Sequence, residues 1–159
     1  MEEAVSRKGM PHNLEAERSV IGSMLLDKEA IGIVTGVITG EDFYDSTLGI
    51  YFDVLVEMNQ QGLETDEVTV QERMRARHVP DAQCSPEYML ELMNGVPSSA
   101  NTADYAAIVR DKSRLRRFIH ISDKLAGDCY KDDEPVDDVF ARAEEQMFRL
   151  FQEGQAAET

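Results

Sequence analysis

The chain reads NTADYAAIVRDKSRLRRFIHISDKLAGDCY over residues 101–130, without a proline and with one glycine, Gly127. A run of this length without a helix breaker predicts one α-helix of about eight turns. After the polar stretch 131–134, a second long helix is expected from Pro135 to about Phe151. Because so short a connection favours antiparallel neighbours, this part of the chain is predicted to be a helical hairpin.

The two arms of the predicted hairpin differ in charge. Residues 104–124 carry six basic and three acidic residues, whereas residues 128–145 carry two basic and eight acidic residues. Opposite charges on adjacent helices favour the hairpin, although each exposed ion pair contributes only about 0–1 kcal/mol. We interpret Arg114, Arg116 and Arg117 as a solvated helix face that pairs with the acidic arm.

Helix-start signals recur before the hairpin. Asn13, followed by Glu15 and Glu17, is typical of a capped helix with acidic residues in its first turn. Asp27 is expected to cap a second helix that includes residues 30–38. The β-branched residues and glycines of that segment leave a strand as the alternative.

Three more helices are predicted in the same region. Ser46 is expected to cap a third helix, with Gly62 at its C-terminal end. Residues 69–72 match the capping-box pattern and start a fourth, short helix. Residues 85–86, Ser-Pro, start a fifth helix that ends near Gly95. The chain is therefore predicted to be all-α, a compact multi-helix bundle followed by a long antiparallel helical hairpin.

The composition is that of a folded, acidic protein. Of its 159 residues, 42% are hydrophobic and 30% charged, and the formal net charge is −15. This excludes intrinsic disorder and argues against non-specific nucleic-acid binding, which depends on Lys and Arg. The first ten residues do not resemble a signal peptide, and no apolar run is long enough to cross a bilayer. We expect a soluble, cytoplasmic protein with no membrane partner.

Catalytic motifs are missing from the sequence. His12, His78 and His120 lie outside HExxH and have no Glu three positions earlier. There is no GxSxG elbow and no GxxxxGK[ST] phosphate loop. Cys84 and Cys129 lack zinc-ligand spacing, and the paired Asp residues lack that of a calcium loop. We expect no catalytic residue, no metal site and no cofactor in this chain.

The hairpin carries more apolar side chains than one seam between two helices can bury. The surplus either packs on the preceding helices or forms a surface shared with another chain. We predict the second, an oligomer or partner interface made of Leu115, Phe118, Ile119, Ile121, Leu125, Val139, Phe140, Ala143, Met147 and Leu150.

An ordered set of short motifs runs from residue 11 to residue 117. The main ones are PHNLEAE at 11–17, IGSMLLD at 21–27, DFY at 42–44, PSSAN at 97–101 and LRR at 115–117. Each is weak alone, but together and in this order they resemble the opening of bacterial DnaB-type replicative DNA helicases. One departure is TLGIYF at 47–52, where the family commonly has a histidine before an Ile-Phe pair.

This resemblance implies the non-catalytic N-terminal domain, with part of the linker helix, of a hexameric ATP-dependent 5′–3′ helicase that acts in DNA replication. In this family such domains pair through their hairpins and form a collar on the motor ring. The collar recruits primase and, in many bacteria, is contacted by a helicase loader. ATP, magnesium and DNA would be bound by the motor domain, whose phosphate loop this sequence lacks. A free-standing dimeric adaptor or regulatory domain without a motor is the alternative.

The resemblance and the helix signals together predict four regions and a location. Residues 1–12 are expected to be a flexible tail and residues 13–100 a globular helical head. Residues 101–151 would form the hairpin and the start of the linker helix, and residues 152–159 a second flexible tail. The family relationship places the protein in the bacterial cytoplasm, at the nucleoid-associated replication fork.

Overall fold

The computed structural model describes the backbone of residues 9–158 and the side chains of residues 9–153. Within these residues there are seven α-helices and no β-strand, so the all-α prediction is confirmed. The predicted tail over residues 1–8 lies outside the described residues. The helices are α1 (Leu14–Leu26), α2 (Lys28–Thr35), α3 (Ser46–Gln60), α4 (Glu67–Ala76), α5 (Pro86–Asn94), α6 (Thr102–Lys131) and α7 (Val136–Glu158).

The chain divides into two compact units. The head is His12–Arg110, and the second unit contains, among the described residues, the hairpin from Asp111 onward together with residues 9–11. The boundary therefore falls inside α6 and not at the predicted position between residues 100 and 101. The reason is that Ala106 and Val109, in the first turns of α6, are buried in the core of the head.

Three predicted helix starts are confirmed by their hydrogen bonds. The Asn13 side chain accepts from the Ala16 N–H at 2.9 Å, and the Asp27 side chain accepts from the Glu29 N–H at 2.9 Å. Ser85 Oγ accepts from the N–H of Tyr88 at 3.1 Å. Each bond satisfies a backbone donor that the first helical turn leaves unpaired.

Two predicted caps were wrong. Asp45, not Ser46, caps α3, and its carboxylate accepts from two backbone N–H groups at 2.9 and 3.2 Å. Asp66, not Thr69, caps α4, and Thr69 donates to Asp66 from its backbone N–H and its hydroxyl. In both cases a nearby carboxylate, which forms stronger charge-assisted bonds, takes the capping position from a hydroxyl.

Two helices end elsewhere than predicted. Segment 30–38 is helical and not a strand, but α2 ends at Thr35, so its last three residues follow the helix. The second arm continues to Glu158, so residues 152–158 are helical where a flexible tail was expected. Gly62 has the predicted role, because its φ of +72° is the left-handed conformation that ends a helix.

The head encloses one apolar core. The buried side of α1 packs against α3 and α5. Leu48 of α3 lies in the same core, so the departure from the family pattern at 47–52 is at a packing position. Removing apolar surface of this extent from water is the main force that stabilises the head. Its largest fully buried side chains include Ile21, Met24, Ile31, Leu48, Tyr51, Leu55, Met58, Met74 and Met89.

A buried carboxylate connects α1 to the start of α3. Glu17 is 1% exposed, and its two oxygens accept from the N–H groups of Tyr44 and Asp45, both at 3.0 Å. The His12 ring stacks on Tyr44, with 4.1 Å between ring centroids. Residue 12, predicted to lie in a flexible tail, therefore packs against the head.

Ion pairs connect the two arms of the hairpin near both ends. Arg117 of α6 contacts Glu153 of α7 at 3.1 Å, as the charge pattern predicts. Near the connection the charges are reversed, since Arg142 of α7 contacts Asp128 of α6 at 3.0 Å and also pairs with Glu134. These pairs confirm the antiparallel hairpin.

The closest approach of α1 and α5 requires a glycine. A Cβ atom on Gly22 would lie 2.2 Å from the backbone O of Leu92 and 2.6 Å from a methyl carbon of Val96. Contacts this short force the helices apart.

We predict that Gly22→Ala lowers the free energy of unfolding by at least about 1–3 kcal/mol, because backbone atoms of α5 must move to admit the methyl group. Gly32→Ala is the matched control, since Gly32 lies inside α2 and a Cβ atom added there would have no neighbouring atom within 4 Å. This control should stabilise the protein by about 0.5–1 kcal/mol. Urea unfolding followed by circular dichroism measures both; equal effects would contradict the close approach.

The Arg142 pair predicts a pH-dependent contribution to hairpin stability. The hydrogen bond from Arg142 holds the pKa of Glu134 below its ordinary value. A lowered pKa stabilises the fold above the unfolded-state pKa, about 4.3, and the contribution is lost as the pH falls through the folded-state value. Arg142→Gln should therefore destabilise the protein more at pH 7 than at pH 3.

Unfolding of wild type and Arg142→Gln at both pH values measures this difference. Arg149→Gln is the control, because Arg149 pairs with Glu145 along its own exposed helix face. A difference for Arg142→Gln that is independent of pH would show that the pair with Glu134 does not stabilise the hairpin.

Candidate functional site

The apolar side chains of the hairpin divide into a buried seam and an exposed face. Leu125, Val139 and Leu150 are each less than 10% exposed. They are three of the ten predicted interface residues, and their burial leaves them no surface for a partner while the hairpin is closed. Their role in the structure is to hold the arms together.

Each arm also presents a stripe of apolar residues to solvent. On α6, Leu115, Phe118 and Ile119 are spaced three and four residues apart, so they share one side of the helix. Leu115 and Phe118 are exposed and Ile119 is half-buried. On α7 the corresponding stripe is formed by Val136, Phe140, Met147 and Phe151, at intervals of four, seven and four residues.

Both stripes lie along the same edge of the hairpin. By helical periodicity, Arg117 and Asp128 lie on the side of α6 away from its stripe. Arg142 and Glu153 likewise lie on the side of α7 away from its stripe. Since these residues pair across the arms along one edge, the two stripes lie along the other, and the register of the pairs places Ile119 opposite Phe151. We call the two stripes together the hairpin face.

The hairpin face is apolar and strongly exposed. Phe140 is 59% and Val136 60% exposed, and Phe151 is 54% exposed. Exposed apolar patches of this kind mark surfaces that another protein covers. Of the predicted interface residues, Leu115, Phe118, Ile119, Phe140 and Met147 belong to the two stripes of this face.

The remaining candidates lie beside the face. Ile121 is half-buried on the ion-paired side of α6, and Ala143 is half-buried next to the seam. The predicted set omitted Val136 and Phe151, although their spacing to Phe140 and Met147 was visible in the sequence. It also omitted Tyr130, which is 83% exposed near the connection between the arms.

Arg116 and Arg117 do not form a free basic surface. Arg116 donates to the backbone O of Pro11 at 2.7 Å, and Arg117 pairs with Glu153. The contact of Arg117 with α7 matches the expected pairing with the acidic arm. The site is therefore apolar and not cationic.

No group of three His, Cys, Asp or Glu side chains that could hold a metal is found among the described residues. Both cysteines are free thiols, Cys84 buried and Cys129 exposed. In the described part of the chain, no helix is both long enough and apolar enough to cross a membrane.

Comparison with known proteins shows the family. Residues 9–111 match the family model described as DnaB-like helicase N terminal domain. The chain is 30% identical over 142 residues to the replicative DNA helicase DnaC of Bacillus subtilis, and 32% identical over 140 residues to the replicative DNA helicase DnaB of Leifsonia xyli. These alignments cover 89% and 88% of this chain but only 31% of each relative. The chain thus spans about a third of the length of the curated relatives that it matches.

A solved structure has the same fold. The crystal structure of the N-terminal domain of DnaB helicase from Mycobacterium tuberculosis superposes with a TM-score of 0.80 at 30% identity. The match covers 88% of this chain and 99% of that domain. On the match of more than half its residues to the family model and on this shared fold, the chain belongs to the DnaB-like helicase N-terminal domain family.

Proposed function

We propose that this chain is the N-terminal collar domain of a hexameric replicative DNA helicase, where it pairs subunits and recruits primase. The observation that carries the proposal is the hairpin face, an exposed apolar surface in a domain whose relatives are replicative helicases. A second copy of the hairpin is the partner that we assign to this face, because two identical apolar surfaces can cover each other about a two-fold axis.

The charge of this chain and the length of its relatives support different roles for the collar and for the rest of the helicase. A net charge of −15 favours protein partners over the DNA backbone. The relatives are about three times as long as the aligned segment, and we assign ATP, magnesium and DNA binding to their additional part. The collar would act without its own catalytic residues, in the bacterial cytoplasm at the replication fork. A helicase loader is a further proposed partner.

Phe140→Glu is predicted to convert a dimer of this chain into a folded monomer. Phe140 is 59% exposed, so its replacement leaves the buried seam intact. A micromolar dimer is held by about 8 kcal/mol, and burying an unpaired carboxylate in each subunit costs several kcal/mol. Sedimentation equilibrium measures the mass, and circular dichroism checks that the helices remain.

Ala141→Glu is the matched control. It adds the same charge one residue further along α7, about 100° around the helix and outside the hairpin face. Ala141 is exposed, and its variant should dimerise like the wild type. A wild-type chain that stays monomeric at hundreds of micromolar, or two variants that behave alike, would count against pairing through this face.

The same chain should bind primase far better than it binds DNA. The primase of the source bacterium, or its helicase-binding part, is titrated at chain concentrations where the dimer forms. A fluorescent single strand and a duplex are titrated in parallel at physiological salt. We expect a saturable primase complex and no DNA complex in the micromolar range, because the acidic surface repels phosphates. Tight DNA binding without primase binding would contradict the collar role.

A further inference from the structure

The head carries an apolar depression, distant in sequence from the hairpin face. It has a volume of about 430 Å³ and lies where the end of α1, the start of α4 and the end of α5 meet. We call it the head hollow. Its lining residues are Leu25, Thr65, Asp66, Glu67, Val68 and Met93.

The floor and wall of the head hollow are apolar. Leu25 and Met93 are partly buried and pack against the core, so they form a fixed floor. Val68 stands at the wall in the first turn of α4 and is 76% exposed. At this exposure the valine side chain is not part of the core. An exposed valine beside two half-buried apolar side chains is typical of a surface that a partner covers.

The rim of the head hollow is negative. Asp66 and Glu67 are the only charged residues among the lining residues, and both are acidic. Hydrogen bonds from Thr69 hold the pKa of Asp66 below its ordinary value, so this carboxylate is ionised at neutral pH. Nearby Glu64 already pairs with Lys28 at 3.2 Å, so that lysine does not neutralise the rim.

The start of α4 does not offer an anion site. The Asp66 carboxylate already accepts the N–H of Thr69, and Glu67 adds a second negative charge in the first turn. These two carboxylates complement the positive end of the helix dipole. The rim is therefore suited to a cation.

We propose that the head hollow docks a basic amphipathic helix from a partner protein. One or two apolar side chains of that helix would fill the hollow against Leu25, Val68 and Met93. Lys or Arg residues one turn away would face Asp66 and Glu67. The volume fits a few side chains of a helix face, the usual way in which an amphipathic helix is held in a groove. This docking uses none of the hairpin residues and is independent of hairpin pairing.

The test uses the full chain and two synthetic helical peptides. One peptide repeats leucine and lysine so that leucines form one helix face, and the other has glutamate at every lysine position. Binding is measured by fluorescence anisotropy, and the contact site by NMR chemical-shift changes of methyl and amide groups. The lysine peptide should shift the signals of Leu25, Val68 and Met93, and the glutamate peptide should not bind.

Two substitutions separate the hollow from general attraction to an acidic protein. Val68→Ser should weaken the lysine peptide at least tenfold, because it removes the apolar wall, and Glu67→Lys should weaken it and reduce its salt dependence. Ile33→Ser is the matched control, since Ile33 is an exposed aliphatic residue of α2 that does not line the hollow. It should leave the affinity unchanged.

Several outcomes overturn the proposal. Equal affinities for Val68→Ser and Ile33→Ser would do so, as would shifts confined to the hairpin face. Equal binding of both peptides would show that the acidic rim has no role. If Val68→Ser instead lowered the self-association of the chain, the occupant of the hollow would be a second copy and not a basic helix.

Discussion

The fold of the head depends on the buried carboxylate of Glu17. Moving an ionised carboxylate out of water costs several kcal/mol unless hydrogen bonds replace the lost hydration. Here the N–H groups of Tyr44 and Asp45 supply them, and these residues lie directly before the first turn of α3. Two charge-assisted bonds thus fix the position of the loop that starts α3 relative to α1.

Further contacts follow from that fixed position. The backbone N–H of Asp45 donates to Glu17 of α1, and the side chain of Asp45 caps α3. The loop before α3 is therefore bonded to both helices. Tyr44 is held in place to receive the ring of His12. On the same helix, one turn or more beyond Glu17, Gly22 permits the close approach of α5. Helix α1 therefore organises the head through one buried acid and one missing side chain.

Local signals in the sequence predicted most of the helices but not this centre. Asn13, Asp27 and Ser85 could be identified because a cap and the backbone donors it satisfies lie within three residues. Where two candidate caps are adjacent, as at Asp45 and Ser46, residue type does not show which of them caps the helix. The sequence alone identifies Glu17 only as an acidic residue of the first turn, because its partners are 27 and 28 residues away. Only tertiary contacts show that it is buried.

In the hairpin, too, the sequence pattern predicts which residues are apolar but not how each helix is rotated. The broad apolar surface of both arms could be predicted from spacing, but the residues that face inward depend on how each helix is rotated about its axis. The ion pairs of Arg117 and Arg142 across the arms fix the rotation of each helix. In this rotation Leu125, Val139 and Leu150 face inward. The same rotation leaves Phe118 and Phe140 outside. Among the side chains described from residue 111 onward, the buried hydrophobic ones are Leu125, Val139 and Leu150, a small core for two long helices, whose stability depends mainly on packing. A second hairpin that covered the exposed stripes would therefore stabilise the folded arms as well as join the subunits, so that folding of the hairpin and association would be linked by mass action.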